Sequence, residues 1–248
     1  MIAPLTILED FFAKAIPSKA EILLLSPFIF IYVLLVAILV CYLKKFRNVR
    51  TPYTRKIFHF LIFTTASIFQ YRFGLSLVVL FGIIVSLFVL AAVVAGEGFV
   101  FYEAMARQTD SPHRTLFILI PLFTTALGGV LINIFFPGFS FIGYLVGGWG
   151  DAVGEPVGTR WGKHRYAVPS LLGVPAQRSV EGSAAVILVS TMVAFAGLYL
   201  AGYPVPMAFG TALACGIGGG AVEAISNHGL DNLTIQVAAA GIAHVILT

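Results

Sequence analysis

Residues 73–95, FGLSLVVLFGIIVSLFVLAAVVA, run without one ionisable side chain. A bilayer core takes roughly 20 apolar residues per helix, and roughly 17 where the helix is short. On that ruler the chain divides into about eight spans, near 22–43, 57–71, 73–95, 115–136, 139–157, 182–202, 206–226 and 231–248. The runs are continuous rather than alternating, and backbone in lipid must satisfy its own hydrogen bonds, so strands are not expected. Only 10% of residues are charged and 59% are hydrophobic, whereas a soluble domain carries about 25% charged residues. The expected fold class is all-α: a polytopic integral membrane bundle of about eight transmembrane helices, with 1–248 as one membrane-embedded domain. The opening MIAPLTILEDFFAKAIPSKAE has no basic leader before a short apolar run, so the first span is expected to be retained. Cys41 and Cys215 fall in apolar segments without metal-ligand spacing and say nothing of the redox compartment. The connection 96–114, GEGFVFYEAMARQTDSPHR, has room for a short interfacial helix stopped at DSPHR.

Eight spans place twelve of the fifteen Lys and Arg residues on one side and only Lys14, Lys19 and Arg72 on the other. That asymmetry marks the basic side as cytoplasmic. Sorting by positive charge makes no demand on acids, yet Glu97, Glu103, Asp110, Asp151, Glu155, Glu181, Glu223 and Asp231 fall on the same side. Anionic lipid headgroups account for the basic residues. They do not account for acids within apolar runs, and the pattern points to a polar site at the cytoplasmic membrane face.

The stretch GWGDAVGEPVGTRWGKHRY, 148–166, follows directly on apolar FIGYLVG. Asp151 and Glu155 stand four residues apart inside the fifth span and share a helix face. Two like charges repel unless a cation sits between them, and Mg²⁺ is commonly held by one or two carboxylates plus substrate phosphates. The alternative is an ion pair with Arg160 or Lys163. Intramembrane acids are functional by default, so a metal–nucleotide complex is the expected guest. Gly158 and Gly162 then allow close backbone approach, while Arg160, Lys163 and Arg165 offer cations to a triphosphate. The stretch is not a Walker A loop, since His164 stands where Ser or Thr must follow Lys163. Gly143 and Gly147 fit close helix packing equally well.

Three more clusters reach the same side. In RKIFHF, Arg55 and His59 share a helix face with Lys56 beside them; a juxtamembrane basic pair also serves as an orientation signal, and His59 reads equally as a satisfied core histidine. RSVEGSAAV puts Arg178 and Ser179 before Glu181, Gly182 and Ser183. Ser179 is placed to cap the helix, and the helix amides offer an anion site. VEAISNHGLDNLTI ends one span at Glu223 and opens the next at Asp231 and Asn232 across the tight turn NHG.

In this order, RKIFH, GDAVGEPVGTRWGKHR, RSVEGS and EAISNHGLDNLT resemble the diacylglycerol/polyprenol kinase family, which includes phytol kinases, dolichol kinases and CTP-dependent diacylglycerol kinases and is related to phosphatidate cytidylyltransferases. The resemblance covers roughly residues 55 to 235. It implies transfer of the γ-phosphate of a nucleotide, typically CTP with Mg²⁺, to the hydroxyl of a lipid alcohol. It also implies Asp151, Glu223 and His59 as catalytic residues, and Arg55, Lys56, Gly158, Arg160, Gly162, Lys163, Arg178, Ser179, Gly182 and Ser183 around the nucleotide. The expected metal ligands are Asp151, Glu181, Asp231 and Asn232, joined by Glu155 through its spacing from Asp151. Arg178 stands where Lys is usual, Gln236 where proline is common, and Pro156 is an unexpected member of its motif. The Asp151–Glu155 spacing looks more like the phytol kinase branch, which favours an isoprenoid acceptor.

The chemistry suits these residues, because phosphoryl transfer is mainly placement of metal and cations around the transferring group. The expected partners are a lipid alcohol, a nucleoside triphosphate and membrane lipids, with no nucleic acid. Phe58, Phe60, Phe63 and Phe69 on the second span, with no extra polar groups for a glycerol backbone, point to a long isoprenoid alcohol ahead of diacylglycerol. Two alternatives share the sequence features. A cytidylyltransferase attacks the α-phosphorus and releases pyrophosphate, and a transporter needs charges near the midplane of inverted repeats, for which no repeat is evident.

Overall fold

Each expected span is a helix in the computed structural model, which describes residues 4–169, 171–227 and 229–248. In chain order these are α1 (Pro4–Ala15), α2 (Lys19–Phe46), α3 (Thr51–Arg72), α4 (Leu75–Ala95), α5 (Val100–Met105), α6 (Leu116–Phe135) and α7 (Ser140–Trp161). Strands β1 (Arg165–Val168) and β2 (Ala176–Ser179) follow, then α8 (Val180–Leu200), α9 (Val205–Ile225) and α10 (Asp231–Leu247). The fold is that of a polytopic helical membrane protein.

Among the described residues, five helices are long and apolar enough to cross a membrane: α2, α4, α6, α8 and α9. The expectation of about eight spans meets its limit at α3, α7 and α10. Helix α10 has only 17 residues, whereas α3 and α7 have 22 each but interrupt their apolar runs with Arg55, Lys56 and His59 and with Asp151, Glu155 and Arg160. Each of the three that fall short carries ionisable site residues into the bundle, and α9 brings Glu223 near its end while still qualifying. A second departure is the antiparallel hairpin β1–β2, with Arg165 opposite Ser179 and Val168 opposite Ala176. It lies in the connection between α7 and α8, where the ban on strand edges in lipid does not apply.

Local sequence sets the helix ends. Ser18 accepts from the Glu21 amide at 3.2 Å while Glu21 accepts from the Ser18 amide at 2.7 Å, a reciprocal cap that starts α2. Ser179 accepts from the Gly182 amide at 3.0 Å and starts α8, as its sequence position led us to expect. The connection 96–114 does hold a short helix, α5, followed by a 3₁₀ turn at Gln108–Asp110. The expected turn at 227–229 includes His228, which lies outside the described residues.

Helix α7 is the axis of the molecule and packs against α3, α8 and α10. Two apolar clusters flank it, one built on α2, α3, α4 and α5 and the other on α7, α8, α9 and α10. Small residues make the approach possible. A Cβ at Gly143 would stand 2.9 Å from the Gln236 carbonyl oxygen of α10, and one at Gly182 would stand 2.8 Å from the Gly154 carbonyl oxygen of α7. Both obstacles are backbone, so neither can swing aside. Gly182→Ala is therefore expected to part α7 from α8 at a cost of about 1–3 kcal/mol, read as a lower midpoint of thermal unfolding in detergent. An unchanged midpoint would mean that the two helices have slack at this crossing.

Candidate functional site

The cation required between Asp151 and Glu155 is a lysine from α3. Lys56 Nζ donates to Asp151 Oδ2 at 2.7 Å and stands 3.9 Å from Glu155 Oε2. His59, one turn further along α3, brings Nε2 to 3.4 Å from Asp151 Oδ2 and 3.3 Å from the Gly147 carbonyl oxygen. Its ring stacks on Phe63 at 4.1 Å. Glu155 takes its own partner from the 96–114 connection: Arg107 Nη1 donates to Glu155 Oε1 at 2.7 Å, and the same guanidinium forks onto Asp110 at 2.9 and 3.0 Å. Arg55 stands 4.0 Å from Asp110. Three cations and three carboxylates thus balance on this side.

The opposite side does not balance. Arg178, at the end of β2, pairs with Glu223 of α9 and donates to Asp231 of α10 at 3.1 Å. One guanidinium faces two carboxylates, each only 4% exposed. Ser183 Oγ lies 3.3 Å from Glu223 Oε2 and 2.7 Å from the Tyr166 hydroxyl. Asn232 Nδ2 donates to Thr125 Oγ1 at 2.9 Å.

Two cavities meet between these networks. A polar one of about 220 Å³ is bounded by Asp151, Glu155 and Gly158 of α7, by Arg165, Arg178 and Ser179 of the hairpin, and by Gly182, Ser183, Glu223, Asp231 and Arg107. A smaller one of about 90 Å³ has His59, Lys56, Arg55 and Asn232 on one side and Phe58, Ile62, Phe63, Val85 and Leu122 on the other. Asp151 and Asp231 bound both. The two lie in one site rather than on opposite faces of the bundle.

Other expected members stand apart. Glu181 accepts from His164 at 2.7 Å, outside both cavities. Arg160 lies over the Trp161 ring at 5.2 Å and borders a separate hollow with Val49, Arg50 and Tyr53. Lys163 is exposed, and Gly162 packs on Ser179. Of the four phenylalanines, Phe58 and Phe63 reach the small cavity, whereas Phe60 packs on Trp149 at 4.5 Å and Phe69 on Phe81 at 5.4 Å. Arg107, Asp110 and Thr125 were not among the residues the sequence singled out for the site, whereas Arg165, offered there as a cation for a triphosphate, does line the polar cavity. The signal for the first two was present in the charge density of 96–114, which exceeds what a plain connection needs.

That segment is held in place by polar contacts. Thr54 Oγ1 donates to the Ala104 carbonyl oxygen at 2.7 Å, and Arg114 pairs with Glu103 at 2.6 Å and Glu97 at 3.0 Å. Burial raises the Glu103 carboxyl, but the bonds from Arg114 and the Gly98 amide, with the Arg114 charge, outweigh it and hold the group below the usual carboxylate range. Such a group contributes stability that is complete above its unfolded value of about 4.3 and is lost as pH falls through the lower folded value. The protection of amides over 96–114, taken relative to the intrinsic exchange rate at each pH, is expected to fall below about pH 4.3. In Arg114→Gln it is expected to be low already at neutral pH. Protection in that variant matching the parent's would show that other contacts hold the segment.

Among the described residues, no three His, Cys, Asp or Glu side chains form a ready metal cage. The surplus carboxylate beside Arg178 nevertheless fits a hard divalent cation that draws its remaining ligands from substrate phosphates.

Among curated proteins the chain is similar to a phytol kinase of Synechocystis sp., 34% identical over 146 residues, which cover 57% of this chain and 56% of the relative. The match therefore spans about half the length of that relative. No protein-family model matches, and no solved structure does. The four motifs and this match point alike to the diacylglycerol/polyprenol kinase family, to whose phytol kinase branch the chain is similar.

Proposed function

We propose that this protein is a lipid-alcohol kinase that transfers the γ-phosphate of CTP, or of another nucleoside triphosphate, to an isoprenoid alcohol of phytol, polyprenol or dolichol type. In this reading residues 1–248 form one kinase domain with eight membrane-crossing helices, and the site faces the cytoplasm. The observation that carries the reading is the meeting of a polar and a largely apolar cavity at Asp151 and Asp231. A phosphate donor and a lipid hydroxyl need just such neighbouring solvents. The similarity to a phytol kinase supports the isoprenoid acceptor.

The triphosphate lies in the polar cavity, where Arg165 and Arg178 supply cations and Gly182 and Ser183 of α8 line the wall. Asp151 and Asp231, with Glu223 beside them, would hold Mg²⁺. The metal supplies charge neutralisation at the transferring group. The alcohol hydroxyl enters beside His59 and Asp151. Its oxygen bonds to the γ-phosphorus as the β–γ bridging P–O bond breaks, the hydroxyl proton passes to the Asp151 carboxylate, and the nucleoside diphosphate leaves.

The test is purified protein with Mg²⁺, CTP or ATP labelled at the γ-position, and phytol, farnesol, polyprenol or diacylglycerol. Labelled lipid monophosphate with release of nucleoside diphosphate is expected, faster for phytol or polyprenol than for diacylglycerol. Release of pyrophosphate would replace the reading with nucleotidyl transfer, and a faster diacylglycerol reaction would overturn the isoprenoid preference alone.

A further inference from the structure

Beyond the small cavity the bundle contains a larger apolar groove of about 420 Å³, bounded by α3, α4 and α6. It is continuous with the small cavity through Ile62, Phe63, Val85, Leu122 and Thr125, which line both. Along α6 the joint path runs from Ile118 to Val130, roughly 18 Å at the helical rise of about 1.5 Å per residue. Phe11 of α1 lies against the groove, with Tyr144 of α7 at its far end. Gly82 of α4 and Ala126 of α6 are exposed and face each other's helices across it, so the groove opens sideways between two candidate membrane spans.

We infer that this groove holds the prenyl chain of the acceptor, which enters laterally between α4 and α6 and delivers its hydroxyl to Asp151 and His59. The inference rests on the kinase reading and adds the place of the tail and the residues that sense its length. The occupant follows from continuity: a chain seated in the groove has one polar exit, the cavity that contains Asp151, Asp231 and Asn232. The walls are aliphatic and aromatic apart from Ser86, Thr125 and the Tyr144 hydroxyl, and Thr125 is already engaged by Asn232. A branched hydrocarbon chain is therefore matched, and a polar headgroup is not.

Gly82 is the control point. A Cβ built there meets nothing within 4 Å, and the residue is helical, so a larger side chain projects into the groove without displacing the fold. Gly210 of α9 has the same open surroundings away from the groove and serves as the matched control. In Gly82→Leu, KM for phytol is expected to rise about tenfold, KM for geraniol and for the nucleotide to stay within about threefold, and Gly210→Leu to match the parent protein; tenfold is about 1.4 kcal/mol of lost contact. Equal kinetics for phytol in Gly82→Leu and the parent would overturn the inference, as would an equal loss with both alcohols. A photoreactive prenyl alcohol separates this failure from failure of the kinase reading. Its crosslinks are expected within 78–87 and 122–130 and to be competed by phytol but not by phospholipid. Crosslinks there without any lipid phosphate would overturn the kinase reading and keep the groove, whereas crosslinks elsewhere, or competition by phospholipid, would overturn the groove.

Discussion

Asp151→Asn is expected to lose both turnover and stability, and a second substitution is expected to return only the stability. The carboxylate accepts from Lys56 Nζ at 2.7 Å in a place where Asp151 is 5% and Lys56 7% exposed. Removing its charge leaves a buried ammonium whose remaining neighbour is Glu155 at 3.9 Å. Breaking such a pair costs roughly 3–5 kcal/mol, and Glu155 moves the expected loss toward the lower figure. Turnover is expected to fall by roughly a hundredfold or more, since a lost contact to metal or transferring phosphate of several kcal/mol acts on the transition state. The double variant Lys56→Met, Asp151→Asn removes both charges and is expected to recover most of the lost stability while remaining inactive, because it leaves no uncompensated buried ammonium. Turnover per folded molecule near the parent's in Asp151→Asn would make this aspartate a structural partner of Lys56 and nothing more.

The membrane helices were legible because lipid imposes one rule on every span, and a run such as 73–95 states it without exception. The acid pair was legible as well, since four residues on a helix fix a shared face. Its cation was not: Lys56 comes from 95 residues away, and no local pattern announces which helix will lie alongside. Arg160 shows the reverse error. It follows Asp151 closely in sequence, but α7 continues unbroken to Trp161, and nine residues amount to about two and a half turns, which sends Arg160 to the opposite face. Gly158, near two full turns from Asp151, keeps the face and borders the cavity. Ending the fifth span near 157 treated Arg160, Lys163 and Arg165 alike as cations for a triphosphate. The helix leaves Arg165, delivered by β1, in the cavity lining.

Arg178 braces three elements, and its replacement is the second large effect. Arg178→Gln deprives Glu223 and Asp231 of their shared cation and the Ser226 carbonyl oxygen of a donor at 3.3 Å. Two buried carboxylates then face each other without compensation, and a loss of roughly 3–5 kcal/mol is expected, as for one broken buried pair, with repulsion between the acids adding to it. Arg178→Lys keeps the charge but lacks the planar fork that reaches both acids, so a smaller loss is expected, with thermal unfolding between the other two proteins. The same geometry makes a statement about metal. If the two carboxylates form the cation-binding side of the site, millimolar Mg²⁺ raises the unfolding midpoint of Arg178→Gln more than that of the parent, because binding to the folded state stabilises it in proportion to occupancy. An Arg178→Gln protein as stable as the parent would remove the guanidinium from this bracing role. A destabilised one that ignores Mg²⁺, Mn²⁺ and Ca²⁺ alike would place the metal away from Glu223 and Asp231, with Asp151 as the carboxylate left to hold it.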